Sequence, residues 1–156
     1  LVGSEMCIRD RLNDGASALI VASEAAIKKY GLTPRARFVD GATAGLAPEI
    51  MGLGPVPATE KVLERTGWRI DQIGAVELNE AFATQSLASM RRLGINPDIV
   101  NSDGGAIALG HPLGFSGSRI LITLLGRMER ENVNRGLATM CIGVGQGAAT
   151  LVERVK

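Results

Sequence analysis

Apolar and polar residues follow two different spacings along this chain, and these spacings predict its strands and helices. Apolar runs, and stretches in which apolar and polar residues alternate, predict strands at residues 17–22, 35–43, 73–78, 136–142 and 148–155. Apolar residues three or four positions apart predict helices over about residues 24–30, 57–66, 81–93 and 116–131. The last helix has the strongest pattern, with apolar residues at Ile120, Leu121, Leu124, Leu125 and Met128.

Capping and turn residues mark the ends of these elements. Ser23 is suited to cap the first helix and Gly31 to end it, while Pro57 fits the first turn of the second helix. The glycine-rich stretch 143–147 predicts a tight connection between the last two strands. Strands thus alternate with helices, and the chain closes with a hairpin. We therefore expect an α/β layered domain with a mixed β-sheet covered by helices and ending in a β-hairpin.

Composition narrows the class of protein. At 156 residues the chain is long enough for one domain, or one domain and a piece of another. Hydrophobic residues make up 46% and aromatic residues only 3%, so aliphatic side chains must build the core. The net charge of +1 gives no reason to expect nucleic acid or an anionic membrane as a partner. No apolar run approaches the roughly 20 residues that span a bilayer, so we expect no membrane partner.

Two cysteines, Cys7 and Cys141, are too few for a disulfide framework or a zinc site, and we expect no metal. The first eleven residues lack the apolar stretch and the small-residue cleavage site of a secretory signal. These features favour a reducing compartment, either the cytoplasm or an organelle matrix, and of these we expect the cytoplasm.

The first candidate for chemistry is His111, the only histidine, which lies in the glycine-rich segment 104–117. An imidazole titrates near neutral pH, so His111 is suited to act as a general base or as a donor to a developing oxyanion. The alternative is a histidine that only hydrogen-bonds the loop backbone. The helix predicted to begin near Ser116 favours the functional interpretation, because its free N–H groups carry a positive partial charge.

Three further places are candidates, each with a structural alternative. Cys141 ends a predicted strand before a glycine turn, where a thiol of lowered pKa could move protons, yet most buried cysteines only pack. Asn79 precedes a helix and is suited either to cap it or to orient a water or substrate oxygen. The loop at residues 51–57 lacks the pattern of a nucleotide-phosphate loop, and it is better suited to line an apolar channel, with Met51 as an adaptable contact.

Taken together and in this order, three motifs closely resemble the C-terminal half of thiolases, the acetyl-CoA acyltransferases. They are Asn-Glu-Ala-Phe at residues 79–82, the Gly-His-Pro segment at 104–117 and Cys-Ile-Gly-Val-Gly-Gln-Gly at 141–147. The resemblance runs from about Asn13 to the last residue. It implies the thiolase layered fold and an enzyme that condenses or cleaves 3-oxoacyl-CoA.

The resemblance also implies a role for each matching residue. His111 corresponds to the histidine that activates the family's nucleophilic cysteine and forms an oxyanion hole, which a water held by Asn79 completes. Cys141 corresponds to the acid/base at the α-carbon of the acetyl group, and the backbone N–H of Gly143 corresponds to part of a second oxyanion hole. The residues implied to bind substrate are Met51, Ala81 and Phe82.

The resemblance divides the chain into three parts. Residues 35–156 are expected to form the thiolase C-terminal domain, and residues 12–34 to be the end of the N-terminal half. Residues 1–11 do not match and are expected to be a foreign or artefactual lead segment. The family's nucleophilic cysteine belongs to the N-terminal half, and Cys7 does not match its motif, so we expect the isolated chain to be inactive.

The partners implied are acyl-CoA, coenzyme A as a substrate with no tightly bound cofactor, the missing N-terminal half, and further copies of the whole protein in a homodimer or homotetramer. An alternative is a catalytically degenerate subunit that binds acyl-CoA. A ketoacyl synthase is a third interpretation, but those enzymes typically pair two histidines, and this chain has one. Acyl-chain specificity, whether acetoacetyl, long-chain or 3-oxoadipyl, and the direction of the reaction stay open at this point.

Overall fold

The computed structural model describes residues 13–155. The expectations for residues 1–11, and the exclusion of Cys7 as the nucleophile, lie outside this part of the chain.

Four strands form one sheet: β1 (Ala36–Gly45), β2 (Ala75–Leu78), β3 (Arg135–Ile142) and β4 (Gln146–Arg154). Their order across the sheet is β1-β4-β3-β2. The β3–β4 hairpin and the β1–β4 pair are antiparallel, whereas β2 and β3 run parallel. The predicted mixed sheet with a closing hairpin is confirmed.

Five α-helices accompany the sheet in the described residues: α1 (Glu24–Tyr30), α2 (Pro55–Thr66), α3 (Ala83–Leu93), α4 (Ala106–Leu109) and α5 (Leu113–Arg130). Short 3₁₀ segments occupy Pro48–Leu53, Ile70–Gln72 and Pro97–Ile99. Helix α1 is capped as predicted, with the Ser23 hydroxyl accepting from the Ala26 N–H and with Gly31 in the left-handed conformation.

The core consists of two aliphatic clusters, one on each face of the sheet. Successive strand residues point to opposite faces, so Leu137 packs in the cluster with Val62 of α2, and Ala138 packs with Leu124 of α5. Gly136 lets α5 pack this closely against β3, since a Cβ at Gly136 would lie 2.5 Å from the Met128 sulfur. Few aromatics are needed because these aliphatic side chains interdigitate closely.

The strand predicted at residues 17–22 is wrong. These residues form no regular structure, and the side chains of Ile20 and Val21 are 86% and 90% exposed. The apolar run suggested a strand, but this segment pairs with no strand of the described sheet. Instead, the Ser17 and Ser118 hydroxyls contact each other, which places the segment beside the start of α5.

Several boundaries also differ from the prediction. The loop predicted at residues 51–57 is the end of a 3₁₀ segment followed directly by α2, which begins at Pro55. Helix α5 begins at Leu113 because Pro112 takes the N-cap position, and α3 begins at Ala83 because Phe82 is still extended. These starts matter because each one lies beside a candidate site residue.

Candidate active site

His111 lies between helices α4 and α5, and both nitrogens of its ring have a side-chain partner. Nδ1 lies 2.6 Å from the Ser116 hydroxyl oxygen, and Nε2 lies 3.2 Å from the Asn79 amide nitrogen. The chain reaches this position through Gly110, whose φ of 105° disfavours any other residue, and leaves it through Pro112. The ring is therefore held at two points, which a histidine bonded only to the loop backbone would not be.

Asn79 follows the last residue of β2 and is completely buried. Its backbone N–H donates to the Thr139 carbonyl at 3.0 Å, which continues the parallel pairing with β3. It does not cap α3, because Phe82 occupies the N-cap position. Its Oδ1 atom is buried with no hydrogen-bond partner among the described residues, so this oxygen is free to accept from a small ligand or water.

Cys141 lies near the end of β3, and Asn79 comes directly after the end of β2. Because these two strands are parallel neighbours, both residues lie at the same edge of the sheet. Its side chain continues the alternating series of Leu137 and Thr139, on the face opposite α5. Among the described residues no hydrogen bond joins Cys141 to His111, whose partner Ser116 belongs to α5. The imidazole and the thiol thus come from opposite faces of the sheet and share the edge where β2 and β3 end.

Cys141 is 5% exposed, and burial raises the pKa of its thiol. A lowered pKa is the condition under which the sequence indicates that Cys141 could move protons, and burial shifts the pKa of this thiol the other way. At neutral pH the sulfur therefore carries its proton.

The turn after Cys141 is open on its outer side. Gly143 is exposed, and an added Cβ there would meet nothing within 4 Å. Val144 has φ 60°, a left-handed conformation that is costly for a β-branched residue, and is 79% exposed. The Leu46 N–H donates to the Gly145 carbonyl at 2.8 Å, so the turn is fastened to the end of β1.

The three residues implied to bind substrate are partly buried. Met51 lies in the 3₁₀ segment that packs against α3 and the β3–β4 hairpin. Ala81 and Phe82 lie between Asn79 and α3. None of the three makes a side-chain hydrogen bond to His111 or Cys141. The backbone of the 3₁₀ segment and of the chain between β2 and α3 places them near the same edge of the sheet.

Glu80 fastens the glycine-rich segment to the end of β2, a role that the sequence did not reveal. One carboxylate oxygen accepts from the Asn101 amide at 3.0 Å, and the other accepts from the Ile107 N–H at 3.0 Å. Gly105 lies so close that an added Cβ would be 2.2 Å from the Glu80 carboxyl carbon. Asn101 in turn bonds both the N–H and the carbonyl of Leu78.

A buried ion pair joins β2 to α5. Glu77 of β2, two residues before Asn79, is fully buried, and its Oε2 lies 3.5 Å from Nη1 of Arg119 on α5. Burial raises the pKa of Glu77 to about 7, against the opposing effects of Arg119 and Arg127. Burial and the charge of Arg119 both lower the pKa of His111, so its ring is neutral at neutral pH.

The sequence contained a signal for this pair. A glutamate within the apolar stretch of β2 and an arginine on the apolar stripe of α5 are both exceptions to their pattern, and buried charges are rare unless paired. Ser116 and Asn101 carried no comparable signal, because polar residues near helix starts and turns are common.

Residues 20–154 match the family profile described as "Thiolase, C-terminal domain". The chain belongs to the thiolase family. Among curated thiolases, it is 58% identical over 146 residues to a beta-ketoadipyl-CoA thiolase of Pseudomonas aeruginosa, and 61% identical over 147 residues to a 3-ketoacyl-CoA thiolase of Photobacterium profundum. Each match covers 92% of this chain, but 36% and 38% of the relative, so the chain spans about a third of their length.

Solved thiolase structures agree in fold. The human mitochondrial 3-ketoacyl-CoA thiolase in complex with CoA superposes with a TM-score of 0.85 at 45% identity, covering 86% of this chain and 34% of that one. The Bacillus anthracis acetyl-CoA acetyltransferase superposes with a TM-score of 0.83 at 41% identity, covering 85% and 34%. The thiolase resemblance and the thiolase-like fold expected from the motifs are confirmed.

The described residues lack a membrane-spanning helix and a cluster of metal ligands. No helix within residues 13–155 has the length and apolar character needed to cross a bilayer. The same residues contain no group of three or more His, Cys, Asp or Glu side chains arranged to hold a metal ion.

Proposed function

We propose that this chain forms the C-terminal part of the active site of a thiolase that cleaves 3-oxoacyl-CoA with coenzyme A and catalyses the reverse condensation. The observation that carries the proposal is the contact of His111 Nε2 with the Asn79 amide, beside the strand end that holds Cys141. Relatives named thiolase and a similar structure named acetyl-CoA acetyltransferase support it. We call this chain together with the N-terminal part that its relatives carry the complete thiolase.

His111 is proposed to act as the base for a nucleophilic thiol supplied by the N-terminal part. Its lowered pKa keeps the ring neutral and ready to accept a proton. The thiolate then attacks the 3-oxo carbon, and the protonated ring donates to the oxygen that becomes negative. The free Oδ1 of Asn79 is suited to hold a water whose second hydrogen points to the same oxygen.

Cys141 is proposed to handle the proton at the α-carbon. When the bond between the α-carbon and the 3-oxo carbon breaks, its electron pair passes into the thioester enolate of the departing acetyl-CoA. The Cys141 thiol, protonated because it is buried, gives its hydrogen to that carbon. Gly143 is exposed, and its N–H is suited to stabilise the enolate oxygen.

We propose coenzyme A and its acyl thioesters as substrates, with Met51, Ala81 and Phe82 at the acyl and pantetheine channel. Relatives named beta-ketoadipyl-CoA thiolase and 3-ketoacyl-CoA thiolase support a degradative enzyme that takes dicarboxylic or fatty 3-oxoacyl chains, the latter in β-oxidation. We also propose that the complete thiolase is a homodimer or homotetramer in the cytoplasm.

The test is thiolysis by the complete thiolase, followed as loss of 3-oxoacyl-CoA absorbance. Cys141→Ala is expected to lower kcat by about 100- to 10,000-fold, the usual loss when a general acid is removed. Ser89→Ala is the matched control, because Ser89 is another small, fully buried residue whose hydroxyl has no partner among the described residues. Unchanged turnover in Cys141→Ala would contradict the assigned role.

The degenerate binding subunit makes a different prediction. It would bind coenzyme A in calorimetric titration, but the complete protein would show no thiolysis. For the 156-residue chain alone we expect no turnover, since the proposed nucleophile lies on the N-terminal part. Thiolysis by the isolated chain would refute that placement.

A further inference from the structure

We propose that Ser116 holds His111 in the tautomer that carries its hydrogen on Nδ1, so that Nε2 presents a lone pair to the reacting thiol. Ser116 is then a positioning residue, which acts on the substrate only through His111. The kinetic consequence rests on the proposed function, whereas the tautomer itself does not.

The Ser116 hydroxyl has one hydrogen and two neighbours within bonding distance. Its oxygen lies 3.0 Å from the Pro112 carbonyl oxygen, which can only accept, and 2.6 Å from His111 Nδ1. If the hydroxyl donates to Pro112, it accepts from Nδ1–H and all three groups are satisfied. Ser116 is completely buried, so bulk water does not compete for these positions.

The other side of the ring points to the same tautomer. Nε2 faces the Asn79 amide nitrogen, which can only donate, so Nε2 is the acceptor. The reverse arrangement would turn the Asn79 amide around and bring its oxygen to Nε2. It would then leave both hydrogens of a fully buried amide without a described partner, and the Ser116 hydroxyl would have to leave Pro112. Buried donors without a partner are rarer than buried acceptors without one, so the arrangement with the amide nitrogen at Nε2 is favoured.

The tautomer explains how one atom performs two tasks in succession. As an acceptor, Nε2 gives up the hydrogen bond from the Asn79 amide and takes the hydrogen of the nucleophilic thiol. Once it carries that hydrogen, the same nitrogen becomes the donor for the oxyanion. Throughout, the Nδ1–H group keeps donating to the Ser116 hydroxyl oxygen, so the ring does not need to turn between the steps. With the opposite tautomer, Nε2 would already carry a hydrogen and could not accept another.

The position of Ser116 follows from the way helix α5 begins. Pro112 caps the helix, and its carbonyl accepts from the Ser116 N–H as well as from the Ser116 hydroxyl. Ser116 therefore lies in the first turn, five residues after His111, with its hydroxyl fixed by the helix itself. A hydroxyl fixed in this way can direct the ring without touching substrate.

The direct test is ¹⁵N NMR of the complete thiolase labelled with ¹⁵N-histidine, in the solid state at pH 8, where His111 is neutral. The His111 signals are those lost in His111→Gln. We expect Nδ1 to be protonated and Nε2 unprotonated in the wild type. In Ser116→Ala we expect a shift toward the Nε2-protonated form. A wild-type ring with its hydrogen on Nε2, or an unchanged tautomer in Ser116→Ala, would overturn the proposal.

Kinetics supply the second readout. Ser116→Ala is expected to lower kcat by about 10- to 100-fold, as when a residue that orients a catalytic group is lost, with little change in the KM for coenzyme A. Ser116→Thr, which keeps the hydroxyl, is expected to recover most of this loss, and Ser89→Ala is expected to match the wild type. Melting temperatures of all variants identify any loss caused by unfolding. Equal kcat in Ser116→Ala and wild type would count against the proposal.

The two readouts separate the two hypotheses. If the tautomer is as proposed but no variant, including the wild type, performs thiolysis, the proposed function fails and the structural role of Ser116 stands. If thiolysis proceeds while Nε2 carries the hydrogen, the proposed function stands and the role of Ser116 fails.

Discussion

Gly147 and Gly54 approach each other more closely than any side chain would permit. Gly147 pairs with Cys141 across the hairpin, and Gly54 precedes α2. A Cβ added at Gly147 would lie 1.9 Å from the Gly54 carbonyl oxygen and 2.2 Å from its carbon. The contact joins the segment that carries Met51 to the strand beside Cys141. Gly147→Ala therefore perturbs fold and site together.

The size of the effect follows from these distances. A carbon and a carbonyl oxygen normally stay more than about 3 Å apart, so the two backbones must separate by roughly 1 Å. Both belong to packed elements, and the atoms in the way are backbone that no rotamer change can move. Overpacking of this kind costs about 1–3 kcal/mol, and we expect a value at the upper end.

The assay is urea unfolding of the 156-residue chain, followed by far-ultraviolet circular dichroism. Gly114→Ala is the matched control, because Gly114 lies in the first turn of α5 and an added Cβ there would meet nothing within 4 Å. We expect the control to equal or slightly exceed the wild type in stability, since alanine favours helix. Equal unfolding free energies for Gly147→Ala and Gly114→Ala would refute the close-approach argument.

Three further changes have defined outcomes. Because the pKa of Glu77 is raised from 4.5 to about 7, the folded chain binds a proton there more tightly than the unfolded chain, and the free energy of unfolding falls by about 3 kcal/mol as the pH rises from 4.5 to 7. Urea titrations at several pH values should show that Glu77→Gln lacks this fall, whereas the same pH dependence in Glu77→Gln and wild type would contradict the assignment. Leu124→Ala empties a fully buried position between α5 and the sheet and should cost about 2–5 kcal/mol in the same assay, a loss below 1 kcal/mol being inconsistent with the packing. Val144→Gly relieves the left-handed backbone in the hairpin turn and should raise stability by about 1 kcal/mol, whereas a lower melting temperature would argue against strain.

The elements that the sequence predicted well are those specified by neighbouring residues. Helix α1 has its own cap and stop, α5 has a long apolar stripe, and the β3–β4 hairpin has a glycine turn between two strands. The false strand at residues 17–22 shows the limit of this reasoning. An apolar run records that residues can be buried, but only the rest of the fold decides whether a strand edge is available to them.

The candidate site was predictable where a residue was unusual and hidden where it depended on distant contacts. His111 was identified because it is the only histidine and lies among glycines. The partner of Glu80 at Ile107 lies 27 residues away, and Glu77 and Arg119 are 42 residues apart. Such contacts arise only when β2, the glycine-rich segment and α5 meet, so spacing along the chain could not reveal them.

The most direct test of the account is a crystal structure of the complete thiolase with bound acetyl-CoA. We expect the acetyl thioester to occupy the edge of the sheet where β2 and β3 end, between the His111 ring and the Cys141 sulfur. Its thioester oxygen should lie within hydrogen-bonding distance of the Gly143 N–H, and its methyl carbon should face Cys141. An acetyl group bound elsewhere, with the imidazole and the thiol opening to separate spaces, would contradict it.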